Sequence, residues 1–303
     1  MYESLFSEGG LSLERLRVLI EVHDAGSISR TAPGDAVRQS QYSRQLRELS
    51  EFFGCEVTHR HGKVLKLTAQ GANLAELVRA FLRGLEDFHL ECKNEHTVFN
   101  IAGGDSLIHW LVIPRLGGLL KTLPDVRFSM SSLRTNEIVQ QIFDGRVDFG
   151  LIRKNAVVTG LRSVALGTLA YVAVVPHVLA PRKPIPNFSD LFKRFPLAMQ
   201  TTDGQFSKQL RNIALSEDDS FRPGLGCESF PQTLAAVRSG RFAAIIPELA
   251  VQELPTGSVH KISGDPLRQL QRDIILAWNP RVIKVRPRAA KVVTELTSTL
   301  RFS

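Results

Sequence analysis

The chain has 303 residues, 43% of them hydrophobic and 22% charged, enough for two globular domains that each bury a core. Its formal net charge is +8, but residues 1–97 carry 12 Lys and Arg against 14 Asp and Glu while residues 98–303 carry 26 against 16, so bulk basicity gives no reason to expect nucleic-acid binding. Pro114 and Arg115 interrupt the richest apolar stretch, and Glu3 and Glu8 stand where a signal peptide would be basic, so neither a membrane span nor a signal peptide is expected and the expectation is of a cytoplasmic protein.

Leu13, Leu16, Leu19, Ile20 and Val22 recur at helical spacing, and the pattern reaches Ala25 and stops at Gly26, a residue suited to a helix end. Ser27 is placed to cap a second, short helix from Ile28 to Ala32, and Pro33, Gly34 and Asp35 form a turn. Between Arg38 and Phe53 a third helix sorts its residues. Tyr42, Leu46, Leu49 and Phe53 form a packing face, and Ser40, Ser43, Arg44 and Arg47 form a polar one. With Gln39 and Arg38 at its start, the polar face offers the hydroxyls, amide and guanidinium forks that contact phosphates and base edges in a DNA major groove. The local charge supports that use, with six Lys or Arg against three Glu from Arg38 to Leu67.

Cys55 to Thr68 reads as a β-hairpin turning at His61-Gly62, a wing whose tip carries His59, Arg60, His61 and Lys63 for phosphate contact. Thr68 then opens a long helix reaching about Lys93. Leu74, Val78, Phe81, Leu85, Phe88 and Cys92, spaced 4, 3, 4, 3, 4, form a heptad seam. A single domain could use the same stripe for its own packing. Self-association is the favoured reading, because a DNA-reading helix gains affinity and specificity from a second copy one helical turn away.

Residues 11–92 resemble the LysR-type transcriptional regulators without a gap. Ser27, Ala32, Gln39, Ser43, Arg44, Gln45 and Leu46 match the family's second and recognition helices, and Leu49, Gly54, Arg60, Gly62, Leu67, Thr68 and Gly71 match its wing and linker-helix start. Asp35, Arg38, Ser40 and Thr58 depart from the residues usual there, which bears on the DNA sequence recognised. The resemblance implies a winged helix-turn-helix over residues 1–68 and a linker and dimerisation helix over 69–93. It further implies double-stranded DNA, further copies of the chain as dimer or tetramer, and RNA polymerase as partners.

From Val98 onward, strands and helices alternate as in an open α/β sheet. Val98 to Ala102, Val126 to Ser131 and Val147 to Ile152 read as strands, separated by helices through Trp110 to Leu120 and from Glu137 to Asp144. A further unit starts near Leu169 to Val175 and continues through Leu197 to Met199, Leu234 to Val237 and Ala243 to Ile246. A strand at Ile274 to Trp278 and a helix from Pro287 to Arg301 close the chain. Leu111 to Leu116, Gly145 to Gly150, Arg238 to Gly240 and Ile245 to Pro247 are similar to the effector-binding domain of the same family. That similarity implies a two-lobed, periplasmic-binding-protein-like (type 2) fold over residues 98–303, with lobe I at 98–166 and 267–303, lobe II at 167–266, and a ligand cleft between them.

Ligands in open α/β sheets bind beyond the carboxyl ends of the strands. Ser106, Thr135, Arg153, Thr201 and Thr202 fall at such junctions, as candidates for a small carboxylate or other anion. For the hydroxyls, helix capping is an equal alternative, and Asp105 would oppose an anion beside Ser106. Gly103-Gly104 lacks the rest of a dinucleotide fingerprint, no Walker lysine follows a glycine loop, and no HExxH or GxSxG occurs, so neither cofactor nor metal is expected. Two other readings stand beside a ligand-responsive regulator: a redox sensor using Cys227, and an enzyme with a binding-protein-like cleft. Cys55, Cys92 and Cys227 form no CxxC pair.

Overall fold

Ser12 starts the first long helix by accepting a hydrogen bond from Arg15 N at 3.3 Å, and Gly26 ends it in the left-handed region at φ 76°. The computed structural model describes residues 2–6, 9–62, 64–181, 184–201 and 204–302, with backbone alone for Ser4. After the short α1 (Glu3–Phe6) come α2 (Leu13–Ala25), α3 (Ile28–Thr31) and α4 (Ala36–Phe53). The hairpin β1 (Thr58–His61) and β2 (Val64–Leu67) pairs Arg60 with Leu65 and His61 with Val64, and Thr68 caps the 24-residue α5 (Ala69–Cys92).

The chain divides into two compact units. The first comprises residues 1–95 with the short segments Phe143–Arg146 and Arg281–Ala289, and the second comprises the remainder. In the first unit Leu16, Val18, Leu19, Val22, Ile28, Tyr42, Leu46, Leu49, Val57, Ala75 and Val78 form one core. Helix-period spacing on three helices thus converges on a single apolar centre. Gly71 lies so close to Val57 that a Cβ would sit 2.1 Å from the Val57 carbonyl oxygen, so the wing can meet α5 only over a bare backbone.

Ion pairs tie the two short segments to this unit. Arg286 donates to Asp87 from Nε at 2.6 Å and Nη2 at 2.9 Å, and both side chains are buried. Asp24 takes Arg79 and, at 2.8 Å, Arg146. Burial alone would raise the Asp24 carboxyl, but the His23 imidazole 3.7 Å away and the two guanidinium groups outweigh it and hold it at about 2, below the ordinary 3.8. A depressed carboxyl contributes stability that is complete above 3.8 and is lost as pH falls toward 2. The wild-type melting midpoint is therefore expected to fall more steeply between about pH 4 and pH 2 than that of Asp24→Asn; parallel profiles would contradict this.

The second unit holds two mixed sheets. The first, in order β4-β3-β5-β12-β6, comprises β3 (Thr97–Gly103), β4 (Val126–Ser132), β5 (Phe149–Arg153), β6 (Arg162–Leu169) and β12 (Arg272–Trp278). The other, in order β11-β7-β10-β8-β9, comprises β7 (Tyr171–Pro176), β8 (Leu197–Gln200), β9 (Leu225–Cys227), β10 (Ala243–Pro247) and β11 (Val259–Ile262). β3 runs parallel to β4 and β5, while β12 runs antiparallel to β5 and β6. The chain crosses between sheets after Leu169 and returns between Ile262 and Arg272. β6 continues the first sheet beyond the expected lobe limit at 166.

The helices of this unit are α6 (Asp105–Leu107), α7 (Leu116–Thr122), α8 (Thr135–Phe143), α9 (Asp190–Arg194), α10 (Gln205–Glu217), α11 (Phe230–Arg238), α12 (Asp265–Arg268) and α14 (Ala289–Leu300), with α13 (Pro280–Val285) leading into the segment of the first unit. The expected helix through Trp110 to Leu120 is instead a π-helical turn at Ile108–Val112, a 3-10 turn at Ile113–Arg115 and then α7. Pro114, which has no N–H to donate, sits in the 3-10 turn. Among the described residues no helix is long and apolar enough to cross a membrane.

Candidate nucleic-acid interface and interlobe cleft

Asp35 opens α4 by accepting from Arg38 N at 2.9 Å, and Tyr42, Leu46 and Leu49 anchor the helix in the core. The opposite face is left outward: Arg38, Ser40, Arg44 and Arg47 are exposed, and Gln39 and Ser43 are half-buried. Gln39 Nε2 donates to the Ala32 carbonyl at 2.7 Å, fixing the turn that precedes the helix. Arg38 lies against Tyr42, donating to its hydroxyl from Nε at 3.0 Å and Nη2 at 2.8 Å, while that hydroxyl donates to Glu21 at 2.5 Å. Burial and the Glu21 bond push the Tyr42 hydroxyl up, so it remains a neutral donor.

Arg44 donates to Glu48 at 3.0 Å, and Arg15 donates to the same carboxylate at 2.6 Å. These bonds hold the Glu48 carboxyl below its usual range. Ser27 is buried, and its hydroxyl caps α3 by accepting from Arg30 N at 3.3 Å, which keeps it off the outward face. Arg60 is exposed on β1, and Lys63 lies outside the described residues. Spacing also failed to mark Val37, an apolar side chain 70% exposed at the start of α4. Its signal is negative: it falls outside the packing register of Tyr42, Leu46 and Leu49.

The seam residues of α5 divide between two environments. Val78 belongs to the core of the first unit and Leu74 packs against it, whereas Phe81, Leu85, Phe88 and the unforeseen Leu77 are exposed. Leu77, Ala80, Phe81 and Leu85 line an apolar groove of about 570 Å3 with Val285 of the C-terminal segment.

In the second unit Ser106 and Thr135 lie beyond the carboxyl ends of β3 and β4, and Arg153 is the last residue of β5, the three strands being neighbours in one sheet. Ser106 is buried, Thr135 half-buried and Arg153 half-buried. Thr201 follows β8 in the other lobe, exposed, with its N–H donating to Cys227 O at 3.0 Å; Thr202 lies outside the described residues. The lobes meet through polar contacts. Phe230 N, at the first turn of α11, donates to Asp105 at 3.2 Å, and Trp110 Nε1 donates to Glu253 at 2.7 Å. Burial would raise the Glu253 carboxyl, but Trp110 and Arg238 outweigh it and lower it. Arg153 and Arg272 donate to Gln205 and Gln209 of α10. Tyr171, Phe206 and Phe230 form an aromatic cluster beside them, with ring centroids 4.6, 4.9 and 5.7 Å apart. Arg272, Tyr171, Gln205 and Gln209 escaped the sequence reading, in which the last strand began at Ile274, two residues after Arg272.

A helix-turn-helix with a wing, followed by a two-lobed α/β domain, defines a DNA-binding regulator that carries a small-molecule domain. The profile described as bacterial regulatory helix-turn-helix protein, lysR family, matches residues 13–72, and that of the LysR substrate binding domain matches residues 93–300. The chain belongs to the LysR-type transcriptional regulators.

A probable RuBisCO transcriptional regulator from Gracilaria tenuistipitata var. liui is 26% identical over 307 residues, covering 95% of this chain and 96% of its own. Two solved structures have the same fold. A cysteine-to-aspartate variant of full-length OxyR from Pseudomonas aeruginosa has a TM-score of 0.66 at 16% identity, covering 96% of this chain and 95% of its own. Full-length LysG from Corynebacterium glutamicum with bound effector Arg has a TM-score of 0.61 at 16% identity, covering 96% of this chain and all of its own (100%).

Proposed function

We propose that α4 enters the DNA major groove with Gln39, Ser40, Ser43, Arg44 and Arg47 as its contact set, that Arg38 joins them by exchanging Tyr42 for DNA, and that Arg60 and Lys63 of the wing bind flanking phosphates. Ser27 acts by positioning α3. Val37 supplies an apolar contact for a thymine methyl group. The observation that carries this reading is the sorting of α4: Tyr42, Leu46 and Leu49 are buried, its serines and arginines stand outward or half-buried, and Phe53, expected on the packing face, is exposed where the helix ends.

Arg44→Ala tests it. If Arg44 holds a phosphate, binding should weaken about equally at every sequence and the salt dependence should lose about one counterion; if Arg44 reads a base edge, discrimination at one base pair should fall by about 1–3 kcal/mol. Footprinting against a panel of sites separates the two, and unchanged affinity would remove Arg44 from the contact set.

Residues 1–68 then form the DNA-binding domain, residues 69–93 the linker and dimerisation helix, and residues 98–303 the effector domain, with the lobe limit expected at 166 moved to the end of β6, giving lobes at 98–169 with 267–303 and at 170–266. The exposed apolar strip of α5 joins two chains, placing two reading helices on successive major grooves, and the larger domains extend the dimer to a tetramer. An effector in the interlobe cleft works by binding one arrangement of that assembly better than the other, with Ser106, Thr135, Arg153, Thr201 and Thr202 as its candidate contacts. The chain acts in the cytoplasm, where its DNA and RNA polymerase are. The cleft serves sensing rather than turnover, in keeping with relatives that are transcriptional regulators.

A further inference from the structure

Arg153 ends β5 and Arg272 begins the neighbouring antiparallel strand β12. Arg153 lies opposite Ile274, so Arg272, two residues earlier, projects from the same face of the sheet. Helix α10 meets the pair with two carboxamides one turn apart, Gln205 on Arg153 and Gln209 on Arg272. The remaining bonds of Arg272 go to the backbone carbonyls of Gln269 at 3.2 Å and Gln271 at 2.7 Å. Among the described residues no carboxylate pairs with either guanidinium. Asp105 is engaged by Phe230 N, and Asp273, on the other face of β12, accepts from Thr168 at 2.9 Å.

Two half-buried cations whose hydrogen-bond partners among the described residues are neutral oxygens repel each other. Burial and Arg153 together press Arg272 below its ordinary range. Beside them is Tyr171, more than nine-tenths buried, whose hydroxyl makes no hydrogen bond among the described residues and feels Arg272, Asp105 and Arg153. Burial pushes that hydroxyl up, so it stays a donor. A hydroxyl donor without a protein acceptor, beside two guanidinium groups without a carboxylate partner among the described residues, is an arrangement suited to receiving an oxyanion.

We infer that Arg153, Arg272 and the Tyr171 hydroxyl form a receptor for a compact oxyanion carrying two negative charges, for which the Gln205 and Gln209 carboxamides are neutral stand-ins. The inference rests on the effector-binding reading and narrows it to one ligand class. Guanidinium forks match carboxylate and phosphate oxygens, a monoanion would leave one cation uncompensated, and a cationic ligand would be repelled. An incoming dianion displaces the carboxamides of α10, so binding acts directly on the contact between the lobes.

The test is a thermal unfolding series on the full chain and on Arg272→Gln, at matched ionic strength, with succinate and inorganic phosphate as probes and acetate and free arginine as controls. Succinate or phosphate at about 10 mM is expected to raise the wild-type midpoint by about 2 °C or more, acetate and arginine are not, and Arg272→Gln should lose the rise. A response to one probe but not the other assigns the site to dicarboxylates or to phosphates. In plain buffer Arg272→Gln should be at least as stable as the wild type, because it relieves repulsion. An arginine that merely clasps α10 would behave in the opposite way. A less stable variant, an identical dianion response in both proteins, or no dianion response in the wild type would each overturn the receptor. If acetate or arginine shifts both proteins while the dianions do not, the ligand class is wrong and the effector reading survives. The effector reading itself fails if a broad panel of small molecules leaves the wild-type midpoint unmoved.

Discussion

Replacing Asp87 with alanine is expected to lower the unfolding free energy of the first unit by about 3–5 kcal/mol, more than any other single change considered. Asp87 meets Arg286 through two hydrogen bonds of 2.6 and 2.9 Å, with both side chains nearly removed from water. Truncating the acid takes two charge-assisted hydrogen bonds from a guanidinium in a low-dielectric site, so the loss includes the cost of the weakened charge compensation and exceeds the net worth of the pair. The distinction is measurable. Asp87→Leu combined with Arg286→Met should recover most of the stability, since a packed apolar pair avoids both desolvation costs. Urea denaturation of the two proteins decides it, and an Asp87→Ala midpoint equal to that of the wild type would contradict the structure of this ion pair.

Phe81→Glu is expected to weaken self-association by at least about 100-fold, because a carboxylate would replace an aromatic ring in an apolar contact and would have to be desolvated there. The site is chosen by exposure. Phe81 is 48% exposed beside Leu77 and Leu85, so the substitution changes a surface and leaves the core around Val78 intact. Sedimentation velocity on the wild type and the variant reads the result directly, and DNA binding should weaken in parallel as the second reading helix is lost. An unaltered oligomer would reject this face of α5 as the interface.

The DNA-reading half of the chain is legible because its signals are local. Tyr42, Leu46 and Leu49 mark the buried face of α4 within three turns, Gly26 and Thr68 mark helix ends, and His61-Gly62 fixes the hairpin. The α5 seam is harder to interpret for a physical reason. Leu74 and Val78 face their own domain while Phe81, Leu85 and Phe88 face outward, and an apolar stripe carries the same spacing whichever partner covers it.

The cleft is the least legible part. Arg153 stands out by its place after a strand, but its partner Arg272 lies 119 positions away, and only the antiparallel register of β5 with β12 brings the two onto one face. α10, which supplies Gln205 and Gln209, escapes a sequence reading because its exposed turns are polar and its buried positions, Ser207, Leu210, Ile213 and Ala214, include a serine and an alanine. Ser106 has the look of a ligand hydroxyl, yet it is buried beside Asp105, whose carboxylate accepts from the first turn of α11.

Selecting bound fragments from the fragmented chromosome of the source organism with the full-length protein, then footprinting them with hydroxyl radicals, tests most directly whether α4 reads DNA. Retained fragments should show two protected patches on one face of the duplex, separated by about 10 base pairs or a multiple of that, and Arg44→Ala with Arg47→Ala should abolish both. Retention of no fragment, or an unchanged footprint from that double variant, would contradict the assignment of α4 as the reading helix.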